Sequence, residues 1–409
     1  MAAIKLAVIV GAAVLSLPAL CVVASAEDYA ATQAYMHSFN NGVTVYSGVF
    51  ALNKDLNLQT STYFKYNIDL INPSFGEGGE GGGGDSVNKG GNQTLRGNSS
   101  RGVAAASGAS SAVSSGGNSA KDTRHAFTAG LKHEFKDVVG VEAYYDYSKE
   151  KDYTSHTPTF TLKKDLFNKN TTITAAYSKN NDRVKGVFMD GAKGRNTDNY
   201  FAGVTQALTP YTLVQAGYSR NNSNGYESEG IRLVPLSGTP SSSCTAKSAS
   251  CREESFPSKR FRNAYILGVS QYFNYDGSYA FNRSAVRLTL RYYDDSWGVN
   301  SYMSEVEYNK YLSEQVVMRL NYRYYTQDKA YFALDNYDGP EQYKSSSPQL
   351  LKFDSRLAGV KLGYKFKDTG KGAGSFPIGV SIAEAKYEYY TQSIGVNAHV
   401  VMAALRLFF

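Results

Sequence analysis

The feature that most constrains this chain is a charged or polar residue at every second position of otherwise apolar runs. Val286-Arg287-Leu288-Thr289-Leu290-Arg291-Tyr292 is the clearest case, and Met318-Arg319-Leu320-Asn321-Tyr322-Arg323-Tyr324 and Ala358 to Phe366 repeat it. A helix would scatter these charges around its axis, whereas a strand sends alternate side chains to opposite faces. Arginine facing lipid at mid-bilayer costs roughly 2–4 kcal/mol. If the apolar face meets lipid, the charged face must be wet.

Segments of about ten residues with this alternation recur along the chain and break at turn residues, as membrane-spanning strands do. Sixteen can be placed, from 29–38 to 396–409; the first is weak, and fourteen is the alternative count. Short turns (Leu52 to Asn57, Lys136-Asp137, Asn168 to Asn170, Thr209-Pro210, Leu312 to Glu314) separate long polar connections at 72–121, 181–195, 222–258 and 326–351. The expectation is all-β: a single transmembrane antiparallel barrel over 27–409, with long extracellular loops on one rim.

Residues 1–26 read as a signal peptide. Lys5 precedes the apolar run Leu6 to Leu20, and Ala24-Ser25-Ala26 supplies a small-x-small exit, predicting export and cleavage near Ala26. No later run approaches the 18 apolar residues of a transmembrane helix. Without Lys5 the chain carries 42 Lys and Arg against 36 Asp and Glu. That excess is dispersed rather than gathered into a tract, which argues against nucleic acid as a partner.

The chain has 33 tyrosines and a single tryptophan. Tyrosine favours membrane–water interfaces, where one end of the ring is apolar and the other wet. Pairs of tyrosines recur toward the outer ends of strands: Tyr144-Tyr145, Tyr292-Tyr293, Tyr324-Tyr325 and Tyr389-Tyr390. In each pair one ring would join the headgroup girdle and its neighbour would face the lumen. A ladder for stacking sugars or aromatic solutes is the other reading.

The same alternation assigns a lumen set. It comprises Arg287 and Arg291; Arg319 and Arg323; Glu305 and Glu307; Lys361 and Lys365; Glu384, Lys386 and Glu388; and Arg406. Opposite charges on neighbouring strands form cross-strand pairs. If all are satisfied they stiffen the wall; if arginines are left over, the lumen favours anions.

Two cysteines follow the signal, Cys244 and Cys251, in one Ser-rich loop, where an oxidising compartment would join them. Such a bond would stiffen 222–258 and make it the better candidate for a constriction. Gly76 to Gly84 lacks the Lys-Ser/Thr of a phosphate loop, so 72–121 is expected to be a flexible surface segment. No two of His37, His125, His133, His156 and His399 have metal spacing, and no haem-attachment motif occurs, so neither catalysis nor a cofactor is expected.

The last strand alternates Val401, Ala403, Leu405 and Leu407 with Met402, Ala404, Arg406 and Phe408, and ends on Phe409. This resembles the assembly signature of bacterial outer-membrane barrels, in which the barrel-assembly machinery reads the final strand. The stretch Gly42 to Pro73, Arg124-His125, Leu290 to Val299 and Arg323-Tyr324-Tyr325-Thr326-Gln327 resemble a family of tyrosine-rich bacterial outer-membrane barrels with no assigned activity. That resemblance implies a bacterial outer-membrane location and a lipid-embedded, porin-like barrel passing small solutes. A barrel that docks a periplasmic or surface partner such as a redox protein is the alternative, and a rim-located hydrolase a third reading.

Overall fold

The computed structural model describes residues 28–40, 43–73, 122–136, 138–186, 189–228, 230, 232–239, 249–366 and 381–408. The signal segment, most of 72–121, Cys244 and Phe409 lie outside the described residues.

Sixteen antiparallel strands close into one barrel: β1 (Tyr29–Phe39), β2 (Val43–Asn57), β3 (Thr60–Pro73), β4 (Asp122–Phe135), β5 (Val139–Lys149), β6 (Tyr153–Leu166), β7 (Thr171–Val184), β8 (Lys193–Thr209), β9 (Thr212–Gly225), β12 (Lys259–Phe273), β13 (Ser284–Asp295), β14 (Asn300–Tyr311), β15 (Val316–Gln327), β16 (Phe353–Lys365), β17 (Ser381–Gln392) and β18 (Asn397–Phe408). The remaining two strands, β10 (Leu233–Pro235) and β11 (Cys251–Glu253), form a separate hairpin. Each barrel strand pairs with its sequence neighbour in the ring. The weak first segment is a full strand, and it closes the ring by pairing with β18 from Tyr29↔Phe408 to Phe39↔Ala398.

Several boundaries move outward from the expected ones. The stretch Leu52 to Asn57 is strand, so the β2–β3 turn is residues 58–59. Polar ends read as loop, such as Asn181 to Val184 and Asn222 to Gly225, remain paired, because ladder pairing continues after the apolar pattern stops. The connection after β7 therefore shrinks to 185–192. Long connections, 74–121, 226–258 and 328–352, all leave one rim. Phe408 and Tyr29 sit at the opposite rim, where the turns are mostly short. At one of these turns Phe167, Asn168 and Lys169 are consecutively left-handed, with φ of 50, 54 and 68°.

Exposure follows the alternation. Leu131, Phe160, Leu162, Ile173, Val204, Leu267, Leu290, Val306, Leu320 and Leu362 are exposed on the outer face. Their polar neighbours Thr161, Ser178, Asn199, Thr289 and Glu305 are buried on the inner face. Only a surrounding apolar phase makes the outer set favourable, and a closed ring leaves no unpaired edge, so the fold is one that can span lipid. Outward Tyr218, Tyr265, Tyr292 and Tyr302 stand directly opposite one another on four successive strands. Their ring centroids are 5.1, 6.1 and 5.0 Å apart, a continuous arc of aromatic girdle.

Candidate functional site: the charged lumen wall

Sixteen strands about 4.8 Å apart and tilted by about 40° close a ring of roughly 16 Å backbone radius, a size that leaves an aqueous interior. The strands make extensive contacts only with their ring neighbours. The wall thus encloses space rather than packing one side against the other.

All twelve charged positions assigned to the lumen lie on the inner face. Registers place Arg287 opposite Glu307, and Glu305 opposite Arg323. Arg319, Lys361 and Lys386 form one row across β15, β16 and β17. Each carboxylate has a cation. Arg323 donates to Glu305 at 3.1 Å, and Arg319 stands 3.8 Å from Glu307 while its Nε donates to Asn309 at 2.7 Å. Lys361 pairs with Glu384, and Lys386 with Glu388 at 2.7 Å. Gly359 makes room for this ladder: a Cβ there would lie 2.5 Å from the Glu388 side chain and 2.6 Å from Asn321, which donates across it to Glu388.

The set holds eight cations and four carboxylates, so pairing leaves positive charge over. Arg287 donates to Gln215 at 3.0 Å. Arg291 lies over the Tyr293 ring at 5.7 Å and Arg406 over Tyr29 at 5.3 Å, without a carboxylate in ion-pair range among the described residues. Lys365 stands at the short-turn end of β16.

Further inner-face charges escaped the sequence reading, although the same alternation carries them. Arg124 pairs with Asp69, Lys163 with Glu142, Arg195 with Asp182, and Arg260 with Asp295. These come as matched pairs and add no surplus. In the paired tyrosines the outer members are Tyr145, Tyr292, Tyr324 and Tyr389, and the inner ones Tyr144, Tyr293, Tyr325 and Tyr390.

The mouth at the loop rim is built from two connections no local pattern relates. In 226–258, Glu227 turns inward to accept from Ser223 and to meet Arg262 of β12 at 3.5 Å. Ser255 and Lys344 exchange backbone hydrogen bonds, tying this loop to 328–352. Buried Glu254 accepts from the Ser346 amide at 2.8 Å. A small core of Trp297, Val299, Ala330, Phe332, Ala333 and Leu350, flanked by Phe256, Tyr343 and Tyr293, joins both loops to the β13–β14 turn. Trp297 donates to the Lys259 carbonyl at 3.0 Å, and the Arg260 guanidinium lies 4.0 Å from the centre of its ring. Inner-face Gln327 donates to the Gln349 and Leu351 carbonyls, at 2.8 Å each. Cys251, which opens β11, is buried and disulfide-bonded; Cys244 lies outside the described residues.

The histidines do not converge. His125, His156 and His399 accept or donate on the outer face to Tyr66, Tyr145 and Tyr387, at 2.7, 2.7 and 2.9 Å. His133 does so with Thr60 at 2.9 Å.

A closed antiparallel barrel with an apolar outer belt, an aromatic girdle and a charged inner wall defines a transmembrane β-barrel of the outer-membrane type. Within that class the chain belongs to the family described as "Protein of unknown function (DUF3570)", whose model matches residues 1–192 and 188–407. No curated protein matches the sequence. Among solved structures, the chain is similar to the siderophore receptor PirA of Acinetobacter baumannii, at 11% identity and TM-score 0.40 over 90% of this chain. It spans only 54% of that receptor's length. It is also similar to OccD3 (OpdP) of Pseudomonas aeruginosa, at 9% identity and TM-score 0.41, covering 93% of this chain and 90% of that one. A bacterial polysaccharide outer membrane secretin gives 8% identity and TM-score 0.43, covering 93% and 98%. At these identities and scores nothing that those proteins do carries over.

Proposed function

We propose that this chain is a porin-like channel of the bacterial outer membrane, exported by cleavage near Ala26 and admitting small solutes by diffusion with a preference for anions. The observation that carries this reading is the charge balance of the inner wall. Each of Glu305, Glu307, Glu384 and Glu388 is matched by a cation, while Arg291 and Arg406 rest on aromatic faces with no carboxylate in ion-pair range among the described residues. In a water-filled bore such charge raises the local concentration of anions.

The mouth supports the same reading. Glu227 draws the root of 226–258 onto the inner face, and the shared core with 328–352 holds it there, so this loop narrows the entrance. In this account β18, which closes the ring against β1, is the segment handed to the barrel-assembly machinery. Purified, refolded protein is expected to give discrete single-channel steps in planar bilayers. Bilayers that stay silent, although the protein shows the heat-modifiable gel mobility of a folded barrel, would overturn the channel reading.

A further inference from the structure

One stretch of the inner wall differs in kind from the paired ladder. Just below the loop mouth, Arg291 stands opposite Met303, which stands opposite Tyr325, which stands opposite Ser355. The flanking row places Arg323 opposite Leu357 and Leu357 opposite Tyr390. Tyr293 holds the Arg291 guanidinium over its ring at 5.7 Å, and the Tyr325 ring lies 5.7 Å from Phe353. The Tyr325 hydroxyl donates to Gln327 at 2.7 Å, and Tyr390 bonds to Ser355 and Gln392. These hydroxyls are therefore engaged and the ring faces line the wall. Arg291, Met303, Tyr293, Tyr325 and Tyr390 are all half-buried, hence reachable from the lumen.

On nearby strands a guanidinium meets a carboxylate: Arg323 is held by Glu305 and Arg260 by Asp295. Arg291 has an aromatic ring instead. A ring face attracts the cation but takes none of its in-plane N–H groups, which remain free to grip a carboxylate in the bidentate mode. A single uncommitted cation, whose nearest fellows are neutralised, suits one negative charge better than a phosphate dianion. The surrounding Tyr, Met and Leu surface offers an apolar body a place out of water.

Given a lumen open to water, as the channel reading requires, we infer that Arg291, Tyr293, Met303 and Tyr325 form a binding site for monocarboxylates carrying an aromatic or apolar group. The site sits where a solute entering past the mouth first meets the wall, and it selects by charge and hydrophobic contact together.

The single tryptophan gives a direct readout, because Tyr293 touches both Arg291 and the Trp297 core. Purified wild-type protein is titrated with sodium benzoate, sodium acetate and benzyl alcohol at fixed ionic strength, following Trp297 fluorescence. Benzoate is expected to give a saturable change, with acetate and benzyl alcohol at least about tenfold weaker, since each lacks one of the two contacts. Arg291→Met should raise the benzoate half-saturation by about tenfold or more, as loss of a charge-assisted pair does. Tyr325→Ala should weaken benzoate while leaving acetate unchanged. Heat-modifiable gel mobility checks that each variant folds; Arg291→Gln replaces Arg291→Met, and Tyr325→Ser replaces Tyr325→Ala, where the first choice does not. An equal response to acetate and benzoate, no saturable response, or indifference to the Arg291 substitution overturns the site. Benzoate binding with electrically silent bilayers would refute the channel and spare the site; anion-selective steps without benzoate binding would do the reverse.

Discussion

Breaking the Glu305–Arg323 pair isolates what the inner wall contributes. The two groups face each other in register, 3.1 Å apart, and the Glu305 carboxylate is almost fully buried. At that distance the Coulomb attraction is about 1 kcal/mol for bulk-water screening and about 5 kcal/mol for an effective dielectric constant of 20. Desolvation offsets much of the larger figure, so a net coupling of about 2 kcal/mol is expected, in line with hydrogen bonds to charged groups. Arg319 and Glu307 are 3.8 Å apart, and Asn309 already takes the Arg319 Nε, so their coupling should fall below about 1 kcal/mol. The assay is a pair of double-mutant cycles, Glu305→Gln with Arg323→Met and Glu307→Gln with Arg319→Met. Trp297 fluorescence during reversible urea unfolding in lipid vesicles supplies the free energies. Couplings that are equal, or a Glu305–Arg323 coupling within error of zero, would refute the claim that these charges meet on the inner face in this register.

Other consequences are as concrete. Leu320 is exposed on the outer face midway along β15, so Leu320→Arg should destabilise the barrel in vesicles by roughly 2–4 kcal/mol, while a charge at inner Asn321 should cost far less. Lys169 is left-handed without being glycine, so Lys169→Gly should stabilise by about 1 kcal/mol, read from the same unfolding curves. In the 328–352 loop, Glu341 accepts the Asp338 and Gly339 amides at 2.8 and 2.9 Å, chiefly the Asp338 contact, and its carboxyl is held below the usual carboxylate range. Its contribution is therefore complete above the ordinary carboxylate value and is lost as pH falls through the lower folded one. Hydrogen exchange at those two amides, corrected for intrinsic rates, should accelerate in that acidic window, and Glu341→Gln should remove the pH dependence.

The strands were legible because period-two alternation is a property of one strand, needing no knowledge of its partner. The same rule identified which side of β13 to β17 bears charge. It applies equally to Arg260 and Arg262 in Lys259–Phe273 and to Asp69, Glu142 and Arg195 in the first half, where shorter apolar runs make the period less plain. Pairing is another matter. That Arg323 meets Glu305 while Arg291 lies on Tyr293 depends on register, which the sequence of either strand alone does not contain. The mouth was the least legible. Trp297, Phe256 and Phe332 come from three connections without periodicity, and only closing the ring brings them together. The hairpin of Leu233–Pro235 with Cys251–Glu253 is hidden for the same reason.

The reversal potential of the purified, refolded protein in a planar bilayer under a KCl gradient at neutral pH tests the central claim most directly. In a water-filled lumen the inner-face carboxylates are paired while Arg291 and Arg406 meet no carboxylate among the described residues, so chloride must pass in preference to potassium, giving a potential of the anion-selective sign that shrinks as salt rises. A potential of the cation-selective sign, or one that is zero at low salt, contradicts it.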